Sequence, residues 1–78
     1  MFEIYGRNNC VWCDRAKALL DEKGLSYTYR NIETNPAYLE DFLEDFKGKK
    51  TVPQIRQIKM DGYNYIGGYE DLVRYLHD

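Results

Sequence analysis

The chain has 78 residues, which is enough for one small domain and too short for two. Hydrophobic residues make up 44% of it and aromatic residues 15%, a composition that can build a core and argues against a disordered chain. Its net charge of −2 argues against binding nucleic acid or an anionic membrane by bulk attraction. No apolar run approaches the ~20 residues that span a bilayer, and no secretory signal is visible, so we expect a cytoplasmic protein.

Apolar periodicity and turn residues predict four strands and three helices in the order β-α-β-α-β-β-α. The predicted elements are a strand over 2–5, a helix from Val11 to a stop at Gly24, a strand over 26–32, a helix from the cap Asn35 to Gly48, strands over 52–58 and 63–66, and a helix over 69–76. Asp61 and Gly62 predict a hairpin turn of type I′ between the last two strands. Because strand–helix–strand units make parallel crossovers and hairpins are antiparallel, we expect an α/β fold with a mixed four-stranded sheet and helices on both faces.

The two cysteines, Cys10 and Cys13, lie in a Cys-Val-Trp-Cys segment where the first predicted helix begins. A disulfide between them would close a loop too short to restrict the unfolded chain, so the pair suits chemistry better than stability. Backbone amides of Trp12 and Cys13, the helix dipole and Arg7 should lower the pKa of a thiol at Cys10. Cys13 lies one turn further along and should be more buried. The pattern therefore predicts that Cys10 attacks a disulfide and that Cys13 then attacks Cys10.

Two other interpretations of the cysteine pair remain open, an inert structural pair and half of a zinc site. A structural zinc site normally has four protein ligands. The only other nitrogen or sulfur ligand of the usual kind is His77, at the opposite end of the chain. We therefore favour redox chemistry and expect no metal ion.

Three segments of this chain together resemble the glutaredoxins. Residues 5–13 (YGRNNCVWC) resemble the family's active-site segment, Thr51-Val52-Pro53 resembles its Thr-Val-Pro loop, and residues 67–71 (GGYED) resemble its Gly-Gly-x-x-Asp turn. The segments come in the family's order and spacing, and the resemblance covers nearly the whole chain. It implies one glutaredoxin domain over 1–78, a thioredoxin-like fold, a cis Pro53, and activity as a glutathione-dependent thiol–disulfide oxidoreductase.

The resemblance also implies which residues contact glutathione. The glycine carboxylate would contact Arg7 and Lys49. The γ-glutamyl carboxylate would contact the amides of Tyr69 and Glu70, and the γ-glutamyl ammonium would contact Asp71. Without the motifs, Arg7 and Lys49 are ordinary solvated charges and Asp71 is a favourable acid in the first turn of a helix. The full set that the resemblance assigns to glutathione is Arg7, Val11, Trp12, Lys49, Thr51, Val52, Pro53, Gly68, Tyr69, Glu70 and Asp71.

The chain departs from the family at Val11, where Pro is usual, and at Trp12, where Tyr is usual. Residues 7–11 (RNNCV) also resemble a glutaredoxin-like redoxin that takes electrons from thioredoxin reductase and serves ribonucleotide reductase. That group lacks the Gly-Gly-x-x-Asp turn, so residues 67–71 favour glutathione as the reductant.

Two further hypotheses stay open, an iron–sulfur carrier bridged by two chains and a non-enzymatic binding module that uses residues 51–53. The dithiol enzyme remains the favoured one. We expect it to be a monomer whose partners are glutathione and disulfide-containing proteins, with ribonucleotide reductase as one partner by resemblance.

Overall fold

A computed structural model describes residues 1–77, and these form the predicted succession of elements. Within this range no helix has the length and apolar content to cross a membrane. The sheet has the strand order β2-β1-β3-β4, in which β1 is parallel to β2 and antiparallel to β3, and β3 is antiparallel to β4. The prediction of a mixed four-stranded sheet is confirmed. The elements are β1 (Phe2–Gly6), α1 (Val11–Glu22), β2 (Tyr27–Asn31), α2 (Pro36–Asp45), β3 (Gln54–Lys59), β4 (Gly62–Gly67) and α3 (Tyr69–His77).

The helix boundaries largely follow local signals in the sequence. The Asn35 side-chain oxygen accepts hydrogen bonds from the amides of Ala37 and Tyr38, and Pro36 occupies the first position of α2. Gly24 follows the end of α1 with a φ of +70°, the left-handed conformation that commonly terminates a helix. The end of α2 differs from the prediction, because the helix stops at Asp45 and does not continue to Gly48.

The turn between β3 and β4 also differs from the prediction. The strand register pairs Lys59 with Gly62, so that Met60 and Asp61 are the two residues of the loop. Within residues 1–77 Asn9 is the only residue other than glycine with a positive φ. A type I′ turn needs a positive φ at both central residues, so the prediction of that turn type was wrong.

Alternate residues of β1 point to opposite faces of the sheet, and each face has its own core. On the first, called the α1 face here, Phe2 and Ile4 join a buried apolar cluster with residues of α1, β3 and α3: Ala16, Leu20, Ile55 and Leu72. On the opposite side, called the α2 face, Tyr5 packs with Phe42 and Phe46. The helices therefore lie on both faces, as predicted.

The α2 face buries charge as well as aromatic rings, which the sequence did not lead us to expect. Glu3 and Arg56 are only 9% and 8% exposed, and Arg56 Nε donates to Glu3 Oε1 at 2.9 Å. Arg30 Nη2 donates to Glu3 Oε2 at 2.9 Å, and Arg56 also donates to Asp45 Oδ2 at 3.1 Å and to the Tyr5 hydroxyl at 3.2 Å. Burial is the largest single effect and opposes the charge of Arg56. The hydrogen bonds and charges of its partners, with the hydrogen bond to Glu3 first, together outweigh burial and raise the pKa of Arg56.

Candidate functional site

The two cysteines lie where β1 leads into α1, and they form a disulfide. Cys10 is the N-cap of α1 with an extended backbone, and its sulfur accepts a hydrogen bond from the Cys13 amide at 3.1 Å. This is one of the two amide donors that the sequence suggested. Cys13 is fully buried and Cys10 is 4% exposed, so the predicted order of burial is confirmed. The helix N-terminus is thus arranged to stabilise negative charge on the Cys10 sulfur.

Two residues that the sequence analysis did not assign to the site, Gly6 and Tyr29, lie next to Cys13. A Cβ on Gly6, the last residue of β1, would lie 2.8 Å from the Cys13 sulfur and would also overlap the Tyr29 hydroxyl. That hydroxyl donates to the Arg7 carbonyl at 2.8 Å. Burial raises the pKa of Tyr29, and the negative charge of Asp14 adds to the effect. The available signal was the strand pattern of β2, which places Tyr29 on the same face as α1.

A groove of about 230 Å³ is lined in part by Trp12, the residue directly before Cys13. Its walls come from three separate segments: the start of α1, the residues before β3 and the start of α3. The Val52–Pro53 peptide bond is cis, as the resemblance implied. All of the lining residues belong to the set that the resemblance assigned to glutathione: Trp12, Thr51, Val52, Pro53, Gly68, Tyr69, Glu70 and Asp71.

An aromatic pair forms one wall of this groove. The ring centroids of Trp12 and Tyr69 are 5.7 Å apart, and the Arg15 guanidinium lies 4.7 Å from the centroid of the Trp12 ring. Stacking on both neighbours holds the indole in place although it is exposed to solvent. The wall therefore presents a fixed apolar surface beside the disulfide.

The turn before α3 and its first residues contribute polar groups to the lining. Asp71 accepts a hydrogen bond from the Gly68 amide at 3.0 Å through one carboxylate oxygen, and its other oxygen pairs with Arg74. A Cβ on Gly67 would overlap the Asp71 carboxylate, and Gly67 has a φ of +121°. Glycine is therefore needed at this position for the turn that carries Asp71 to the groove.

Three residues of the predicted set do not line the groove. Arg7 donates through Nη1 to the carbonyls of the two following asparagines, each at 3.2 Å. Val11 is exposed, and the Lys49 ammonium lies 5.4 Å from the ring centroid of Tyr65. These three side chains lie outside the eight-residue lining of the groove.

Within residues 1–77 the fold does not place a set of zinc ligands around the cysteine pair. In the part of the chain that the structure describes, no three His, Cys, Asp or Glu side chains are placed to hold a metal ion. His77 instead lines a second cavity with Leu19, Lys23, Val73 and Leu76. The histidine and the cysteines therefore belong to different sites.

A family model for glutaredoxin matches residues 2–59. This chain belongs to the glutaredoxin family. It is 41% identical over 70 residues to Glutaredoxin 3 of Escherichia coli (strain K12), a match that covers 90% of this chain and 78% of that protein. Membership makes the chain a thiol–disulfide oxidoreductase, which agrees with the chemistry predicted for the cysteine pair.

Solved structures show the same fold. A buckwheat glutaredoxin–glutathione complex superposes with a TM-score of 0.75 at 23% identity and covers 99% of this chain and 68% of that one. The glutaredoxin-like protein NrdH-redoxin from Escherichia coli superposes with a TM-score of 0.69 at 24% identity and covers 99% and 95%. The prediction of a thioredoxin-like fold is therefore confirmed.

Proposed function

We propose that this chain is a glutathione-dependent thiol–disulfide oxidoreductase in which Cys10 is the nucleophile and Cys13 the resolving thiol. The observation that carries the proposal is the position of Cys10, which caps α1 and whose sulfur accepts a hydrogen bond from the Cys13 amide nitrogen at 3.1 Å. The same amide and the helix dipole would stabilise a thiolate after reduction. The pKa of the Cys10 thiol should then lie below that of a free thiol.

The reaction has two exchange steps in which electrons are conserved. The Cys10 thiolate attacks one sulfur of a substrate disulfide, forms a mixed disulfide with it and releases the other half as a thiolate. The Cys13 thiolate then attacks the Cys10 sulfur, releases the second half of the substrate and closes the Cys10–Cys13 disulfide. Two glutathione thiols return the protein to the dithiol and leave as glutathione disulfide. The Cα atoms are 5.2 Å apart, so the ring closes within the range of ordinary disulfides.

The groove offers groups that suit the two ends and the backbone of glutathione. The Leu72 amide donates to the carbonyl of Gly68, the residue before α3. The amides of the first helical residues have no partner within a helix, so those of Tyr69 and Glu70 would be available to a carboxylate. Val52 lines the groove, and its backbone would pair with an extended peptide, a mode that gives affinity with little side-chain specificity.

Charged side chains in and near the groove would match the charged groups of glutathione. Asp71 lines the groove and would accept from the γ-glutamyl ammonium. Arg7 and Lys49, which are both exposed, would approach the glycine carboxylate. The Trp12 ring would cover the mixed disulfide on Cys10. The buckwheat relative, which has the same fold, was solved as a glutathione complex.

A comparison of reductants tests the choice of glutathione. One reaction supplies NADPH, glutathione reductase and glutathione, and the other supplies NADPH and thioredoxin reductase, with the same small disulfide as acceptor. We expect rapid NADPH oxidation in the first. Activity with thioredoxin reductase alone would contradict glutathione dependence while leaving the cysteine chemistry intact.

A pair of serine variants tests the assignment of the two cysteines. Cys13→Ser should keep most of its reduction of a glutathione mixed disulfide, because the attack by Cys10 needs no partner. It should lose reduction of protein disulfides, where the second thiol releases the product. Cys10→Ser should lose both. Retention of both activities in Cys10→Ser would show that the nucleophile has been assigned to the wrong residue.

A second candidate function is a redoxin that takes electrons from thioredoxin reductase and passes them to ribonucleotide reductase. It is favoured by the match to NrdH-redoxin, which extends over 95% of that chain. The reductant comparison separates the two candidates. Either system keeps cysteines reduced, which suits the cytoplasm.

A further inference from the structure

The Tyr29 side chain places a hydroxyl group next to the buried sulfur of Cys13. Tyr29 lies on β2 opposite Ile4 of β1, and Gly6 lies two residues further along β1. A Cβ on Gly6 would be 2.8 Å from both the Cys13 sulfur and the Tyr29 ring carbon that carries the hydroxyl. The sulfur and the hydroxyl therefore border the same small space, which glycine leaves open.

We propose that Tyr29 is a positioning residue for the resolving step, which donates its hydroxyl hydrogen to the Arg7 carbonyl while the disulfide is closed and to the Cys13 thiolate while Cys13 attacks Cys10. The inference rests on the proposed role of Cys13. With the disulfide closed, the Tyr29 hydroxyl donates to the Arg7 carbonyl oxygen at 2.8 Å. When the disulfide opens, the Cys13 side chain is free to rotate among its staggered conformations and to approach the hydroxyl.

Burial is the reason why Cys13 needs such a donor. Its side chain is fully buried, and burial disfavours a thiolate over a thiol. The backbone amide of Cys13 is directed at Cys10, not at the Cys13 sulfur. A hydroxyl that bonds to the thiolate offsets the lost hydration and lowers the pKa of the attacking group. Tyr29 keeps its own proton throughout, since burial raises its pKa.

Several charged groups surround this hydroxyl. Arg7 precedes the active-site loop, and Glu33 follows β2. On α1, the Lys17 ammonium lies 4.2 Å from the centroid of the Tyr29 ring and 3.4 Å from Asp14. β3 and α3 contribute apolar residues to the core on this face. A Tyr29→Phe substitution keeps all of these charges and the ring, so that its effect reports on the hydroxyl alone.

A chromogenic aromatic disulfide, used at one equivalent with the reduced protein, separates the two steps without glutathione. Attack by Cys10 releases the first coloured thiol, and attack by Cys13 on the Cys10 sulfur releases the second. Stopped-flow absorbance over a range of pH gives a rate and an apparent pKa for each phase. Tyr29→Phe should leave the first phase unchanged and raise the apparent pKa of the second by about one unit. The higher pKa lowers the fraction of Cys13 thiolate at neutral pH. A more basic thiolate is also a better nucleophile, which offsets part of this loss, so the second phase should slow about threefold.

Tyr27→Phe is the matched control. Tyr27 also lies on β2 and packs on the α1 face, but its hydroxyl bonds to Asp21 and should affect neither phase. The inference is wrong if Tyr29→Phe leaves the second pH profile where it is, or if it slows both phases equally, as loss of a purely structural contact would. Cys13→Ser should lack the second phase. Its persistence there would overturn the role of Cys13 itself, an outcome that differs from failure of Tyr29 alone.

Discussion

Buried side chains on the α1 face of the sheet are apolar, whereas the α2 face encloses an ion-pair network. Beneath α1, the apolar cluster includes Ile4 and Leu20, both fully buried. Beneath α2, the carboxylate of Glu3 binds two guanidinium groups, from Arg30 and Arg56. Among residues 1–77, the core on the side of the sheet that carries the redox centre contains no buried charge, and the sheet separates the thiols from the ion-pair network.

The ion-pair network on the α2 face connects β3 to the end of α2. Arg56 on β3 pairs with Asp45, the last residue of α2, at 3.1 Å. This contact joins the two ends of the connection over 46–53, which carries Lys49 and the groove residues Thr51–Pro53. Charge-assisted hydrogen bonds are more directional than apolar contacts, and this directionality suits the placement of the groove residues in the connection. The comparison predicts that the two faces respond differently to substitution.

The largest expected loss of stability comes from the charged side. Glu3→Ala would leave Arg30 without its carboxylate and Arg56 with only Asp45, and removal of one partner from a buried pair costs about 4 kcal/mol. Urea unfolding measures the change in the free energy of unfolding. Asp45→Asn is the control, because its carboxylate is partly exposed and its loss should cost about 1 kcal/mol or less. Equal losses in the two variants would contradict the burial of Glu3.

A smaller loss is expected on the apolar side. Leu20→Ala should lower the free energy of unfolding by about 3 kcal/mol, because it removes buried methyl groups and leaves a cavity. Leu43→Ala provides the matched change on α2, where the leucine is 61% exposed and the expected effect is about 0.5 kcal/mol or less. Unfolding of both variants in urea tests this ranking. A loss for Leu43 as large as that for Leu20 would show that the exposed position is covered in solution.

The smallest effect concerns alkaline pH. Burial raises the pKa of Tyr5 above its ordinary value of 10.0, so above that pH the unfolded chain loses the phenol proton first. The folded state then holds more protons, and stability falls as pH rises through this range. Tyr5→Phe removes this contribution and should make the decline shallower, by at most about 1.4 kcal/mol per pH unit. Urea midpoints measured across alkaline pH report the slope, and an unchanged slope would contradict the prediction.

Much of the site followed from local features of the sequence. Cys10 was placed at the start of a helix because apolar periodicity begins immediately after it, and the structure confirms it as the N-cap. The groove was predicted only through the family resemblance, since its walls are far apart in the chain. Tyr29 was missed because the parallel pairing of β2 with β1 brings its hydroxyl and the Cys13 sulfur to the same space beside Gly6.

The sequence by itself determined the order of the elements, the mixed sheet and the cysteine chemistry, because capping, periodicity and helix dipoles act over a few residues. Only the tertiary structure decided that Glu3 is buried, since its partner Arg56 is 53 residues away. It also decided the turn at Met60 and Asp61, where the strand register selects the loop residues. Long-range pairing chooses which side chains meet, and no local propensity contains that information.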